Sequence, residues 1–484
     1  MRTLTIAVAL LAVAATLSSS PLDPFAPENP VVMGRGGSFT ATARGYNSFF
    51  SNPAGFARTG EFTLASVNAW AFMDRNLVSL AQDIVGSDFA TARSASRSLD
   101  PAAFEALQGY IDDFAGWVES TDSATLTSII QAVTGDAGIV YTDQDDLATI
   151  LAAAGTDDII AFIYALEAEA ALQGATLPFT ADDFSAAVAA ALPGGKLRIG
   201  GQIGLGYVGN GLGLGLFANT EASIDGTNIL QARGIAYNTI TFVGGFGLSF
   251  GDLDLGVAIR PTVFGYSSVN AAPVIADYIA GNTIDPSVMF NSTVYYGSGL
   301  ALDFGARYGV GPFSFGFAVR DLFGTRIQYR KTSFDDYVQA LSGAALPIGS
   351  TLSSEEQEAA LQIPMKVNLG FEFHPHLGVL SFLIDPRFSV DILDTTRIVR
   401  LWRQGADVEP NDVLSLLNFG GQIDVLRFMS LRAGYYGGYL SAGLGVRVFF
   451  LDVNAAVAGD FTQDASGSWG FTEVGGALEA AIRF

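Results

Sequence analysis

The end of the chain splits into two faces. Val474, Gly476, Leu478, Ala480, Ile482 and Phe484 fall on one side, and Glu473, Gly475, Ala477, Glu479, Ala481 and Arg483 on the other. A two-residue period that is apolar on one face and polar or small on the other fits a strand with lipid outside and a lumen inside. The same period recurs at Leu197, Ile199, Ile203, Leu205 and Tyr207 against Lys196, Arg198, Gln202 and glycines. It recurs again at Phe313, Phe315, Phe317 and Val319 against Ser314, Gly316, Ala318 and Arg320. Carried along the chain, it predicts strands over 61–73, 196–208, 212–224, 239–250, 253–264, 292–304, 312–322, 364–373, 379–391, 414–426, 429–437, 439–449, 451–460 and 470–484. These segments have about the 9 to 11 residues that a tilted membrane strand needs, and there are fourteen of them, an even number.

Composition narrows the reading. Of 484 residues 49% are hydrophobic and only 15% charged, with 56 Gly and 12% aromatic residues, whereas soluble chains carry about 25% charged residues. The net charge of −23 excludes nucleic acid as a partner, because phosphate binding needs clustered cations. Zero Cys removes disulfides, thiolate chemistry and Cys-based metal sites. Residues 1–20 read as a cleaved export signal: Arg2, then an apolar stretch from Leu4 to Leu17, then Ser18 to Ser20. Beyond it no apolar run reaches the 18 or so residues of a spanning helix. An exported, Gly-rich and aromatic chain without such helices crosses a membrane only as a closed barrel. The expected fold is therefore an all-β, 14-stranded antiparallel transmembrane barrel over 61–484, located in the outer membrane.

Connections support this. Short ones are expected at Gly209 to Gly211, Gly251 to Asp252, Gly305 to Gly311, His374 to Gly378, Arg427 to Phe428 and Phe450. The long ones include 225–238, 265–291, 323–363 and 392–413. Short turns on one rim and long loops on the other are the habit of outer-membrane barrels; the short Gly437-Gly438 connection is the exception. The largest connection, 74–195, reads as a helical, acidic insertion on the outer side. Asp100 and Pro101 form a helix start, and Phe104, Leu107, Ile111, Phe114 and Val118 form one apolar face. The insertion holds 19 Asp or Glu against 3 Arg, a charge read as a solvated face.

Residues 21–60 precede the first strand, too irregular for a strand and too apolar for a free tail. Their run Gly45-Tyr46-Asn47-Ser48-Phe49-Phe50-Ser51-Asn52-Pro53-Ala54-Gly55-Phe56-Ala57 resembles the N-terminal hatch of the FadL family, outer-membrane transporters of long-chain fatty acids and other hydrophobic compounds. The hatch residues are Asn52, Pro53, Ala54 and Gly55. The terminal Phe484 resembles the C-terminal signature read by barrel-assembly machinery. The resemblance covers barrel and plug, not the helical insertion. It implies a lumenal plug, a monomer and a hydrophobic small-molecule ligand. It also implies a lateral gate at the third strand, for which Gly209, Gly211, Gly213 and Gly215 are the candidates.

Alternation places Lys196, Arg198, Arg260, Arg320 and Lys366 in the lumen near the outer mouth, where they could hold a carboxylate headgroup. Pairing with Glu221, Asp321 or the acidic insertion is the alternative. Enzyme readings fail: Gly204-Leu205-Gly206-Tyr207-Val208-Gly209 matches GxGxxG but is followed by a strand rather than a helix. His374 and His376 lie in a short turn. No catalytic residue, cofactor or metal is expected. The functional expectation is uptake of hydrophobic molecules such as long-chain fatty acids; the alternative is a surface or secretion-partner barrel that docks another protein through its helical cap.

Overall fold

The first and last strands meet. β1 (Glu61–Asp74) pairs antiparallel with β16 (Trp469–Arg483) from Thr63 opposite Arg483 to Asp74 opposite Glu473. This pairing closes the ring of strands. The structure is a computed structural model that describes residues 28–58, 60–75, 101–135, 159–191, 193–228, 233–270, 293–334, 336–337, 349–403, 413–463 and 469–484. The expected export signal lies outside these residues.

From β1 the wall continues through β2 (Pro193–Gly209), β3 (Leu212–Asn228), β4 (Arg233–Phe250), β5 (Leu253–Asn270), β6 (Val294–Val310) and β7 (Phe313–Arg320). It then passes through β10 (Lys366–Phe373), β11 (Ile384–Ile392), β12 (Leu417–Val425), β13 (Met429–Tyr436), β14 (Tyr439–Val448) and β15 (Leu451–Gln463) back to β16. That is a closed ring of fourteen antiparallel strands. Two short strands outside the ring, β8 (Gln328–Thr332) and β9 (Ser350–Thr351), extend the wall at the outer end of β6. They fall in the expected long loop 323–363.

Burial follows the two-residue period. On β4, Ile240, Phe242, Phe246, Leu248 and Phe250 are exposed, while Tyr237, Thr239, Thr241 and Val243 are buried. The exposed residues form the apolar band of an outer-membrane barrel, and the buried ones face the bore. No helix among the described residues is long and apolar enough to cross a membrane.

Strand boundaries differ from expectation at identifiable places. The glycines of 305–311 read as a turn, yet β6 runs to Val310, because Gly305 and Arg307 face inward against the N-terminal segment. The expected strand 379–391 opens with a 3-10 turn, Gly378–Phe382, and starts at Ile384. β3 and β4 extend to Asn228 and back to Arg233, so the predicted connection 225–238 is mostly strand. The wall is uneven as a result: β2 to β6 have 17 or 18 residues and β10 to β13 only 8 or 9. Asn210 and Gly211, with φ of 52° and 81°, form the two-residue β2–β3 turn, as the Asn-Gly pair favours.

The insertion is helical where it is described. α2 (Pro101–Ser120), α3 (Ser123–Thr134), α4 (Ile159–Leu172) and α5 (Ala181–Ala191) follow a short first helix, α1 (Pro30–Gly34), that lies in the bore. Leu107, Phe114 and Val118 of the expected stripe are buried, together with Leu126, Ile129, Ile130, Ile163 and Leu166. Phe179 packs its ring against Tyr110 and Phe184 at 5.3 and 5.6 Å. The insertion therefore has a small apolar core of its own.

Candidate functional site: the hatch and the lumen

Residues 28–58 lie against inward-facing residues of the wall as a chain of turns rather than as a strand or long helix. Asn29 caps α1 by accepting from Val31 N at 2.8 Å. Two 3-10 turns follow, Gly45–Phe49 and Pro53–Phe56. Asn52 is fully buried. Its Oδ1 accepts from Ala54 N at 3.0 Å, and its Nδ2 donates to the carbonyls of Thr40, Ala306 and Phe317 at 2.9, 3.2 and 3.3 Å. One carboxamide thus ties the turn to an earlier hatch residue and to β6 and β7. Pro53 can follow because its missing N–H is not needed at the first position of a turn.

The wall meets this backbone with glycines. A β-carbon on Gly256 would strike the backbone of Pro53, one on Gly434 would stand 2.5 Å from Gly36 N, and one on Gly443 3.0 Å from Gly34 Cα. Backbone against backbone is allowed only where side chains are absent. The candidate gate glycines belong to the same seat. A β-carbon on Gly213 would stand 2.8 Å from the Phe56 ring, and one on Gly215 3.2 Å from Phe49. Gly209 ends β2, and Gly211 sits in the turn. Both ladders of β3 run without a break through the strand interior, from Gly209 opposite Leu212 to Gly195 opposite Gly226, and from Leu212 opposite Phe246 to Asp225 opposite Arg233.

Elsewhere the ladder is interrupted. Beside Pro261, β4 and β5 keep their register but lose the pairs at Phe242 and Val243, since proline offers no N–H. β15 and β16 slip between Gly459 and Phe461. At that slip a cavity of about 610 Å³ lies on the wall, lined by Ala71, Leu440, Ala442, Val457, Gly459 and Phe471 among others.

The described contacts of the five expected cations fall into two groups. Arg260 makes a two-pronged pair with Asp303, Nε to Oδ2 at 2.6 Å and Nη2 to Oδ1 at 3.0 Å, and reaches Asp321 at 3.0 Å. Arg320 adds a contact to Asp303 at 3.7 Å and donates to the carbonyl of Phe50 in the hatch. Lys366 stands opposite Arg320 in the ladder. Arg198 belongs to a second group: it pairs with Glu28 at 2.5 Å, and Glu28 also accepts from Tyr436 Oη at 3.0 Å. Its guanidinium lies 4.6 Å over the Phe72 ring. Nearby, Glu221 accepts from Trp70 Nε1 at 2.9 Å. Lys196 is half-buried at the start of the same strand.

Further charged fastenings were not anticipated from sequence. Arg307 and Arg58 both hold Asp254, at 2.6 and 2.5 Å. Asp391 accepts from the backbone N–H of Phe39 and of Thr40 at 2.8 and 2.6 Å. Burial pulls the Arg35 guanidinium in the hatch down to about 10, with Glu372 and Asp391 opposing. Glu372 is 1% exposed and 4.0 Å from Arg44 Nη2. The inward polar positions of β5, β6, β10 and β11 were the available signal; which of them meet requires the register.

Two aromatic groups line the bore. Tyr46, Phe49, Phe50 and Phe56 of the hatch pack with Phe217, Val208 and Val243 of the wall. Toward the outer end, Tyr237, Phe264, Tyr266, Tyr295 and Tyr329 pack with Ile327 and Ile363. His374, in the short turn as expected, meets Asp385 at 2.7 Å. Among the described residues no group of three or more His, Cys, Asp or Glu is placed to hold a metal ion.

No family model matches the chain, and no curated protein does. Similar solved structures include a FadL homologue of Pseudomonas aeruginosa, 11% identical over 94% of this chain and 98% of that one, with a TM-score of 0.41. The toluene transporter TodX of Pseudomonas putida is 10% identical over 96% of this chain and 99% of its own, with a TM-score of 0.43.

Proposed function

We propose that this protein takes up hydrophobic small molecules across the outer membrane through a hatch-filled barrel. The observation that carries the reading is the aromatic surface shared by hatch and wall: Tyr46, Phe49 and Phe56 against Phe217 and Val243, inside a ring of strands. A general porin keeps a polar, water-filled bore. An aromatic contact between hatch and wall, set among paired charges, instead suits a ligand whose affinity comes from area removed from water as it takes over that contact. Each buried methylene contributes about 0.8 kcal/mol, so a tail of 14 methylenes offers roughly 11 kcal/mol before the costs of binding.

Within this reading the ligand is a long-chain fatty acid, and its carboxylate takes the place of Glu28 at Arg198, beside Lys196. Arg260 and Arg320 are held among Asp303 and Asp321 with side chains 1% and 4% exposed, whereas Arg198 is 27% exposed. A headgroup reaches the second group at lower cost in broken pairs.

The test is uptake by vesicles bearing the full-length protein, comparing a long-chain fatty acid, the corresponding alcohol and toluene. Uptake of all three supports hydrophobic transport. Preference for the acid that Arg198→Gln abolishes supports the headgroup assignment. Uptake of none overturns the reading and favours a docking role for the helical insertion.

A further inference from the structure

After β11 the chain makes an eight-residue helix, α7 (Thr396–Arg403), with sequence TRIVRLWR and no acidic residue. At 100° per residue, Ile398, Val399, Leu401 and Trp402 share one side and Arg397, Arg400 and Arg403 the other. The basic side is moored to the rim. Arg400 pairs with Asp394 at 2.5 Å and donates to the carbonyl of Met365 at 3.0 Å. Thr396 Oγ1 donates to the same carbonyl at 2.7 Å. Because Arg400 is turned toward the barrel, the opposite face is turned away from it. There Trp402 is 73% exposed and Val399 47%. Val413 and Leu414, where the chain returns toward β12, are also exposed.

The height of this helix follows from the wall beneath it. β11 has 9 residues, about the minimum for a tilted strand that crosses the hydrocarbon. Its outward residues Ile384, Phe388, Val390 and Ile392 are all exposed. The apolar band therefore ends at Ile392, and α7 begins four residues later, at the outer boundary of the bilayer on the low side of the barrel. In a chain of net charge −23, a helix with three arginines and no carboxylate stands out against its surroundings. A Trp and a Val turned away from the barrel at the boundary, with Arg403 beside them, is the arrangement of an interfacial helix.

We infer that α7 is a membrane-interface anchor that seats Val399 and Trp402 in the outer leaflet and offers Arg403 to anionic, phosphate-bearing lipid headgroups. The site is separate from the bore, and its assignment does not depend on what the barrel transports.

The test uses full-length protein in nanodiscs of phosphatidylcholine brominated near the carbonyl end of the acyl chains. The emission that distinguishes the wild type from Trp402→Phe should be quenched by the bromolipid and shielded from aqueous iodide. Val399→Cys, the sole thiol of such a variant since the chain has no Cys, carries a spin label that should favour oxygen over a soluble nickel chelate. This label serves if Trp402→Phe fails to fold. In mixed phosphatidylcholine and phosphatidylglycerol, Arg403→Gln should lower the excess of retained phosphatidylglycerol about fivefold, the loss expected for one cation at an anionic surface. Quenching of Trp402 by iodide but not by bromolipid would place the helix in water and overturn the inference. Protection from both would place it under protein and overturn it equally.

Discussion

The Asn52 carboxamide occupies the space where a β-carbon on residue 305 would stand, and residue 305 is glycine. Hatch and wall are matched at that point, since the same carboxamide donates to the carbonyl of Ala306 next in β6. Asn52→Ala withdraws donors from buried carbonyls, at about 1–3 kcal/mol for each one left unsatisfied. Gly305→Val reaches the same end from the wall by pushing the turn away. Both variants should assemble as barrels yet raise ion conductance in planar bilayers above that of the wild type. Wild-type conductance in both would mean that this contact does not hold the hatch closed.

Arg260 is the largest fully buried side chain of the structure, and two carboxylates depend on it. Arg260→Met leaves Asp303 and Asp321 facing each other, and breaking a buried pair from one side costs about 3–5 kcal/mol. Asp303→Asn is milder, because Asp321 still meets Arg260 at 3.0 Å. Guanidinium unfolding in detergent should rank wild type, Asp303→Asn and Arg260→Met in falling order of midpoint. Equal midpoints for the two variants would contradict a shared network.

The ring of strands was legible because lipid enforces alternation: a residue such as Phe246 must be apolar, while its neighbour Gly245 need not be. All fourteen positions were marked in this way. The ends of strands were less legible where glycine carries two meanings. Gly305 and Gly309 looked like a turn, yet both lie within β6, and Gly305 is emptied of a side chain to admit Asn52. The hatch position could be read from Asn52-Pro53-Ala54, whereas its wall partners could not. Asp303 meets Arg260 across 43 residues of sequence, and Glu28 meets Tyr436 across 408. Such pairs depend on register and shear, which a single alternating pattern does not encode. Likewise Gly213 was expected to loosen a strand, and it adjoins the ring of Phe56. Replacing it by valine therefore disturbs the hatch whether or not β3 ever opens.

Outside the membrane, Lys331 Nζ donates to Glu356 Oε1 at 2.7 Å, and Glu356 also caps α6 (Ser354–Ala359) by accepting from Ser353 N at 2.8 Å. Those hydrogen bonds, the one from Lys331 first, hold the carboxyl down to about 2 from an ordinary 4.5. A depressed acid contributes stability that is complete above its unfolded value and is lost as pH falls through the folded one. Amide exchange of α6 should accordingly quicken between about pH 4.5 and 2. Glu356→Gln should exchange faster at neutral pH and lose that acid-dependent step. A step of equal size in the variant would assign the acid sensitivity to another group.

Phe484 closes the ring at its lower rim. Its N–H donates to the carbonyl of Phe62 at 2.9 Å, and Phe62 returns the bond at 3.1 Å. The Phe484 ring stacks at 6.3 Å from that of Phe62 and 6.0 Å from that of Phe450. Phe484→Ser keeps the backbone pair and removes the ring, whereas deletion of residue 484 removes both. If the aromatic side chain serves folded stability, the serine variant should unfold at lower denaturant, by about 0.5–1.5 kcal/mol for an aromatic pair lost. If it serves assembly, the serine variant should unfold like the wild type once folded but accumulate far less in the membrane. We expect the second pattern to dominate, because Phe484 is 66% exposed and its contact with Phe62 and Phe450 is slight. Heat-modifiability on gels, quantified separately for membrane and unfolded fractions, distinguishes the two, and normal accumulation of Phe484→Ser would remove Phe484 as an assembly signal.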